Sequence, residues 1–171
     1  MRMILRGWVI ALSVLGGGSA FAGGAAYSPD DIIKFFSKPE APRGVCVGSE
    51  EDCGFAEKKP ASFNLMVTFA KDSANLTGVA KQNLDSFAEA LKSPSLSVAK
   101  FSIEGYTDAT GTVPYNASLS VRRAASVVAY LADKGIDAAK LRAEGLGEAN
   151  PLNGNVYDPA NRRVETRLVL E

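Results

Sequence analysis

The chain has 171 residues, 46% of them hydrophobic, and its 19 Lys and Arg balance 19 Asp and Glu. That is enough apolar material for a sizeable core, which excludes a disordered chain, and the even charge lacks the positive excess of a protein that neutralises many phosphates, so nucleic acid is not expected as a partner. There is no histidine, which removes imidazole bases, Ser/His/Asp and Cys/His nucleophile systems and every His-containing zinc pattern together, so neither an enzyme nor a bound metal or cofactor is expected.

Residues 1–22 read as a signal peptide. Arg2 and Arg6 precede an apolar run from Trp8 to Leu15, Gly16 to Gly18 break it, and Ala20-Phe21-Ala22 supplies a small-x-small cleavage pattern. The run is far shorter than the roughly 20 residues of a spanning helix, so cleavage before Gly23 is expected to leave no transmembrane segment. Two Arg and no acid depart with it, which leaves a slightly acidic mature chain without a lipid-acceptor Cys at its start.

Residues 23–61 form a leader. Ser28-Pro29-Asp30-Asp31 is a helix start, with a capping Ser, Pro in the first turn and acids beside it, and Ile32, Ile33, Phe35 and Phe36 follow. The apolar side of this helix has two uses, packing back onto the following domain or docking an envelope protein through residues 27–36. Cys46 and Cys53, the only cysteines, sit in a Gly-rich stretch broken by nearby prolines, and an exported chain favours their pairing in one structural disulfide.

Residues 62–171 carry regular periodicity. Phe63, Leu65, Val67 and Phe69 alternate with polar neighbours as a first strand. Ala80, Leu84, Phe87, Ala88 and Leu91 recur at helical spacing until Ser93-Pro94. Ala99, Phe101, Ile103 and Gly105 mark a second strand, with Glu104 pointing to solvent, and the turn Thr107-Asp108-Ala109-Thr110-Gly111 ends it. A second helix runs from about Tyr115 to Lys134, Leu141 to Gly147 is a short strand, residues 148–160 are a loop, and Val164, Thr166 and Leu168 define a closing strand. The order predicts an α+β, βαβαββ two-layer sandwich, with both helices on one face of a four-stranded mixed sheet.

Chemistry concentrates after the second strand. Asp108 stands at a strand end, and Asn116, Ser120 and Arg123 share one stripe of the following helix. A carboxylate that can receive an ammonium, beside an Arg that can grip a carboxylate with two parallel hydrogen bonds, complements a zwitterionic amino-acid end; a turn cap and a solvated helix residue are the plainer roles for the same pair. Gly145-Leu146-Gly147 lacks the third glycine of a dinucleotide turn, and Asp108 has no facing acid for the paired-carboxylate cleavage of a sugar bond.

Four ordered segments settle which role applies by resemblance. They are Gly105-Tyr106-Thr107-Asp108-Ala109-Thr110-Gly111, Tyr115 to Ala124 (YNASLSVRRA), Gly145-Leu146-Gly147-Glu148 with Pro151, and Asn161-Arg162-Arg163-Val164-Glu165. Together with Phe69 to Leu76, they resemble the C-terminal peptidoglycan-binding domain of the outer membrane protein A family across residues 62–171. The resemblance implies noncovalent binding of peptidoglycan in the periplasm, peripheral to the outer membrane, in support of envelope integrity. Asp108 and Arg123 would hold the zwitterionic end of diaminopimelate in the peptide stem, while Asn116, Thr107, Leu119 and Arg163 would line the groove. The alternative is a structural adaptor in an envelope complex whose wall contact is secondary. Tyr106 stands where the family usually has His, and Ala70 where an acid is common, which changes the pH response and removes one groove contact. The leader is far too short for a membrane barrel, so a free-standing periplasmic member is expected.

Overall fold

The structure, a computed structural model, describes residues 26–38 and 61–169. The signal peptide with its cleavage point and the Cys46–Cys53 pairing lie outside the described residues. The elements are α1 (Pro29–Phe36), β1 (Ser62–Thr68), α2 (Gly78–Lys92), β2 (Lys100–Gly105), α3 (Val113–Asp133), β3 (Leu141–Gly145) and β4 (Arg163–Val169), with short 3-10 turns at Ala138–Lys140 and Pro159–Asn161.

Each helix starts on a side-chain cap that satisfies amides the helix itself leaves open. Ser28 and Asp31 form a reciprocal capping box at α1, Thr77 Oγ1 accepts from Ala80 N at α2, and Thr112 Oγ1 accepts from Tyr115 N at α3. The last cap moves the start of α3 two residues ahead of the expected Tyr115, because Pro114 in the first turn needs no hydrogen-bond donor. At the other end Gly135 adopts φ +86° and its N–H reaches Ala132 O at 2.8 Å, which closes the helix.

The strands form one sheet in the order β1-β4-β2-β3, with β4 antiparallel to both neighbours and β2 parallel to β3. This is the α+β sandwich expected, and the parallel pair is what α3 makes possible, since a parallel strand needs a crossover. Leu65, Val67, Leu84, Phe87, Phe101, Ile103, Val127, Leu131 and Val164 are buried between sheet and helices.

Helix α1 belongs to the same core. Ile32 is fully buried, Phe35 packs edge-on to Phe63 at 5.1 Å, and Phe36 to Phe101 at 5.0 Å. Its apolar side is thus occupied by its own domain, and Asp30, Asp31 and Lys34 are left exposed. The segment before it is tied to an irregularity in β1: Asn64 faces Glu165 and Val67 faces Val164, so Leu65 and Met66 have no partner in β4. Their freed carbonyls are satisfied elsewhere, Leu65 O by Tyr27 OH at 2.7 Å and Met66 O by Asn83 Nδ2 at 3.1 Å, while Asn83 Oδ1 accepts from Ala26 N at 2.8 Å.

The face of the sheet away from the helices departs from expectation. Glu104, expected in solvent, is buried and ion-paired with Arg167 at 3.0 Å, and it accepts a hydrogen bond from Tyr106 OH at 2.9 Å. Burial, and next the bond to Glu104, push the Tyr106 phenol well above its ordinary range. Arg163 is buried with its guanidinium 3.9 Å from the Tyr106 ring centroid and its Nε on Glu165 at 2.6 Å. Alternation predicts that every second residue of β4 meets water; here the charged side chains cover one another instead.

Candidate functional site

The site lies at the end of the sheet where β2 and β3 finish, and glycines let α3 reach it. A Cβ on Gly105 would stand 2.1 Å from Ser120 O, and one on Gly145 would stand 2.6 Å from Val121 N. Backbone therefore touches backbone at both strand ends. Ser120 completes the join: its hydroxyl donates to Ala117 O at 2.7 Å and accepts from Gly147 N at 2.9 Å. Leu146 N then reaches Gly105 O and Thr107 N reaches Gly147 O, at 2.9 and 2.8 Å, so the two turns that follow β2 and β3 are held together.

Arg123, one turn further along α3, is fully buried. Nε donates to Ser73 O at 3.0 Å, Nη1 to Tyr106 O at 3.0 Å and Nη2 to Ala70 O at 3.2 Å, and the guanidinium lies 5.0 Å from the Phe69 ring centroid. One side chain thereby shapes the loop between β1 and α2 and ties it to the end of β2. Five N–H groups are available to a guanidinium, so two remain after these bonds. Burial, and next the charge of Arg162, lower the Arg123 pKa to about 10; the group stays cationic at neutral pH.

Asp108 sits beside it in the turn after β2, 6% exposed. Its Oδ2 receives Arg162 Nη1 at 2.8 Å and its Oδ1 receives Thr110 N at 3.2 Å. Burial acts to raise the carboxyl pKa, but the hydrogen bonds from Arg162 and Thr110 and the Arg162 charge outweigh it and hold the group below the usual carboxylate range. Arg162 is anchored in turn by Nε on Phe69 O at 3.1 Å. Thr107 is buried next to Asp108, and among the described residues its Oγ1 has no hydrogen-bond partner. A buried hydroxyl without a partner is costly and uncommon. Among the described residues no group of acids and cysteines could hold a metal ion.

Of the residues singled out from the sequence, Asp108, Thr107 and Arg123 converge here. Asn116 and Leu119 are buried on the same inward side of α3, with Asn116 Nδ2 bonded to Glu148 Oε2 at 2.7 Å. Arg163 does not join them, because it stacks on Tyr106 on the far face of the sheet. Arg162 takes its place. Strand parity carries that signal: Val164 faces the helices, so Arg162 shares its side and Arg163, Glu165 and Arg167 take the other. The carbonyls of Ala70 and Ser73 could not be found this way, since a loop's backbone direction leaves no mark on residue pattern.

Comparison with known proteins agrees with this architecture. A sequence profile of the OmpA family matches residues 68–165. The chain is 40% identical over 97 residues to outer membrane protein A of Klebsiella pneumoniae, covering 57% of this chain and 28% of that protein. Among solved structures it superposes on the OmpA-like domain of FopA1 from Francisella tularensis with a TM-score of 0.55 and 30% identity, covering 60% of this chain and 71% of that one. It also superposes on the peptidoglycan-associated lipoprotein from Burkholderia pseudomallei with a TM-score of 0.53 and 29% identity, covering 67% and 92%. With more than half of its length matched by the family profile, the chain belongs to the OmpA family.

Proposed function

We propose that this protein binds peptidoglycan noncovalently in the periplasm through the zwitterionic end of diaminopimelate in the peptide stem, and so ties an envelope component to the wall. The observation that carries the reading is the ionised Asp108 beside Arg123, two opposite charges held at one strand end next to the unpartnered Thr107 hydroxyl. An ammonium would be received by Asp108 and Thr107 Oγ1, and the carboxylate on the same carbon by the N–H groups that Arg123 has left. Membership of the OmpA family supports a wall-associated role, as does the likeness to a peptidoglycan-associated lipoprotein.

Both charged groups keep their charge at neutral pH, so neither has to gain or lose a proton when the ligand arrives. Cosedimentation with purified sacculi tests the reading. The mature protein is expected in the pellet with diaminopimelate-type sacculi and in the supernatant with lysine-type sacculi, whose stems lack that zwitterionic centre. Equal pelleting with both would defeat it.

A further inference from the structure

Tyr106 joins the two faces of the sheet. Its carbonyl accepts from Arg123 Nη1 at 3.0 Å on the helix side, and the next amide, Thr107 N, reaches Gly147 O at 2.8 Å, so the peptide between them is fixed at both ends. Asp108 follows directly. The Tyr106 side chain lies on the opposite face, buried in the charged layer away from the helices. There the Arg163 guanidinium stacks 3.9 Å from its ring centroid, and its hydroxyl donates to Glu104 Oε2 at 2.9 Å. Both partners are held in turn: Arg163 donates to Glu165 Oε1 at 2.6 Å and Asn150 O at 3.2 Å, and Glu104 receives Arg167 Nε and Nη2 at 3.0 and 3.2 Å.

We propose that Tyr106 is a positioning residue of the site: its clamped ring fixes the peptide that receives Arg123 and leads into Asp108, so ligand affinity depends on a charged network on the far face of the sheet. This rests on the ligand class proposed above. Two opposite charges serve one ligand only if each is held to a fraction of an ångström, and that requires supports that are themselves locked. Of the three carbonyls that receive Arg123, those of Ala70 and Ser73 belong to the loop after β1, and that of Tyr106 alone continues a strand. It therefore sets Arg123 against Asp108. Arg163 holds the ring by its face and Glu104 by its tip, so a turn of the backbone at Tyr106 would break both contacts. Arg163 thereby acts on the site from behind.

The test compares the mature protein with Tyr106→Phe, which keeps the ring and loses the bond to Glu104, with Tyr106→Leu, which loses the stack as well, and with Ile32→Ala, which weakens the fold at the other end. Each is titrated calorimetrically with meso-diaminopimelate at a temperature where a thermal melt shows it folded, and the Nε–H signal of Arg123 is followed by NMR without ligand. Tyr106→Leu should weaken binding by about tenfold and Tyr106→Phe by about threefold, with the Arg123 signal displaced in the same order. Ile32→Ala should leave both unchanged. Tyr106 variants that keep the parent's affinity and Arg123 signal would overturn the proposal, as would an Ile32→Ala variant that loses as much affinity as Tyr106→Leu, since binding would then follow stability alone. If the parent does not bind diaminopimelate, the reading of the ligand falls, while the Arg123 signal, which needs no ligand, still decides whether Tyr106 positions that side chain.

Discussion

Two regions of the molecule are held together by opposite kinds of force. At the α1 end, rings and aliphatic side chains meet: Tyr27, Phe35, Phe36, Phe63 and Phe101 form a chain of edge-on contacts over the buried Ile32. At the site end, the loop after β1 is held by two arginines donating to its carbonyls, and α3 is seated by glycine contacts. Apolar packing tolerates small shifts because it is non-directional. The site end does not, since a hydrogen bond weakens steeply when its angle fails. The site end is therefore the more brittle one, with a single side chain, Arg123, holding the loop to the end of β2.

The largest effect should come from breaking the brittle end at its centre. Arg123→Lys loses the planar set of donors to Ser73, Ala70 and Tyr106 and is expected to cost about 3 to 5 kcal/mol, read from urea unfolding. Because it damages the loop, its effect on binding cannot by itself report a ligand contact. Ile32→Ala should cost about 3 kcal/mol through the cavity it opens while binding stays intact, because the aromatic seam lies away from the site. Gly105→Ala is predicted to cost about 1 to 3 kcal/mol, since the added methyl meets the Ser120 carbonyl rather than a flexible side chain, and amide shifts along Ala117 to Ala124 should report the displaced helix. Tyr27→Phe removes only the bond to Leu65 O and should cost about 1 kcal/mol.

The smallest effect is that of acid. Asp108 has its pKa lowered in the folded state, so it binds fewer protons than the unfolded chain just below the ordinary carboxylate pKa of about 3.9. Its contribution to stability is present above that value and is lost as pH falls through the lowered folded pKa. Asp108→Asn should therefore flatten the acid limb of the stability profile measured by urea unfolding below pH 4. An unchanged limb would count against the ion pair with Arg162.

The difference between the two regions also explains what the sequence made legible. Strand and helix periodicities disclosed the sandwich, the buried set from Leu65 to Val164 and the helix start at Ser28, because apolar burial leaves a repeat of two or 3.6 residues. Asp108, Thr107 and Arg123 stood out as a charged and polar set at a strand end and on one helix stripe. Glu104 was misplaced because alternation assigns polar residues to water, whereas a buried ion pair such as Glu104–Arg167 obeys partner geometry instead; Arg163, given to the groove by resemblance, lies on the other face of the sheet, stacked on Tyr106 and paired with Glu165. The two-residue bulge at Leu65-Met66 was equally hidden, since its cause is a set of hydrogen bonds from Tyr27 and Asn83, far away in sequence.

The central claim is that Asp108 and Arg123 hold a zwitterionic amino-acid end, and an NMR titration of the mature protein with meso-diaminopimelate tests it most directly. Saturable amide shifts are expected at Thr107, Asp108 and Thr110 and in residues 69–75, with Ile32 to Phe36 unmoved, and those shifts should be lost in a folded Asp108→Asn variant. Shifts centred elsewhere, or an Asp108→Asn variant that binds as the parent does, would contradict it.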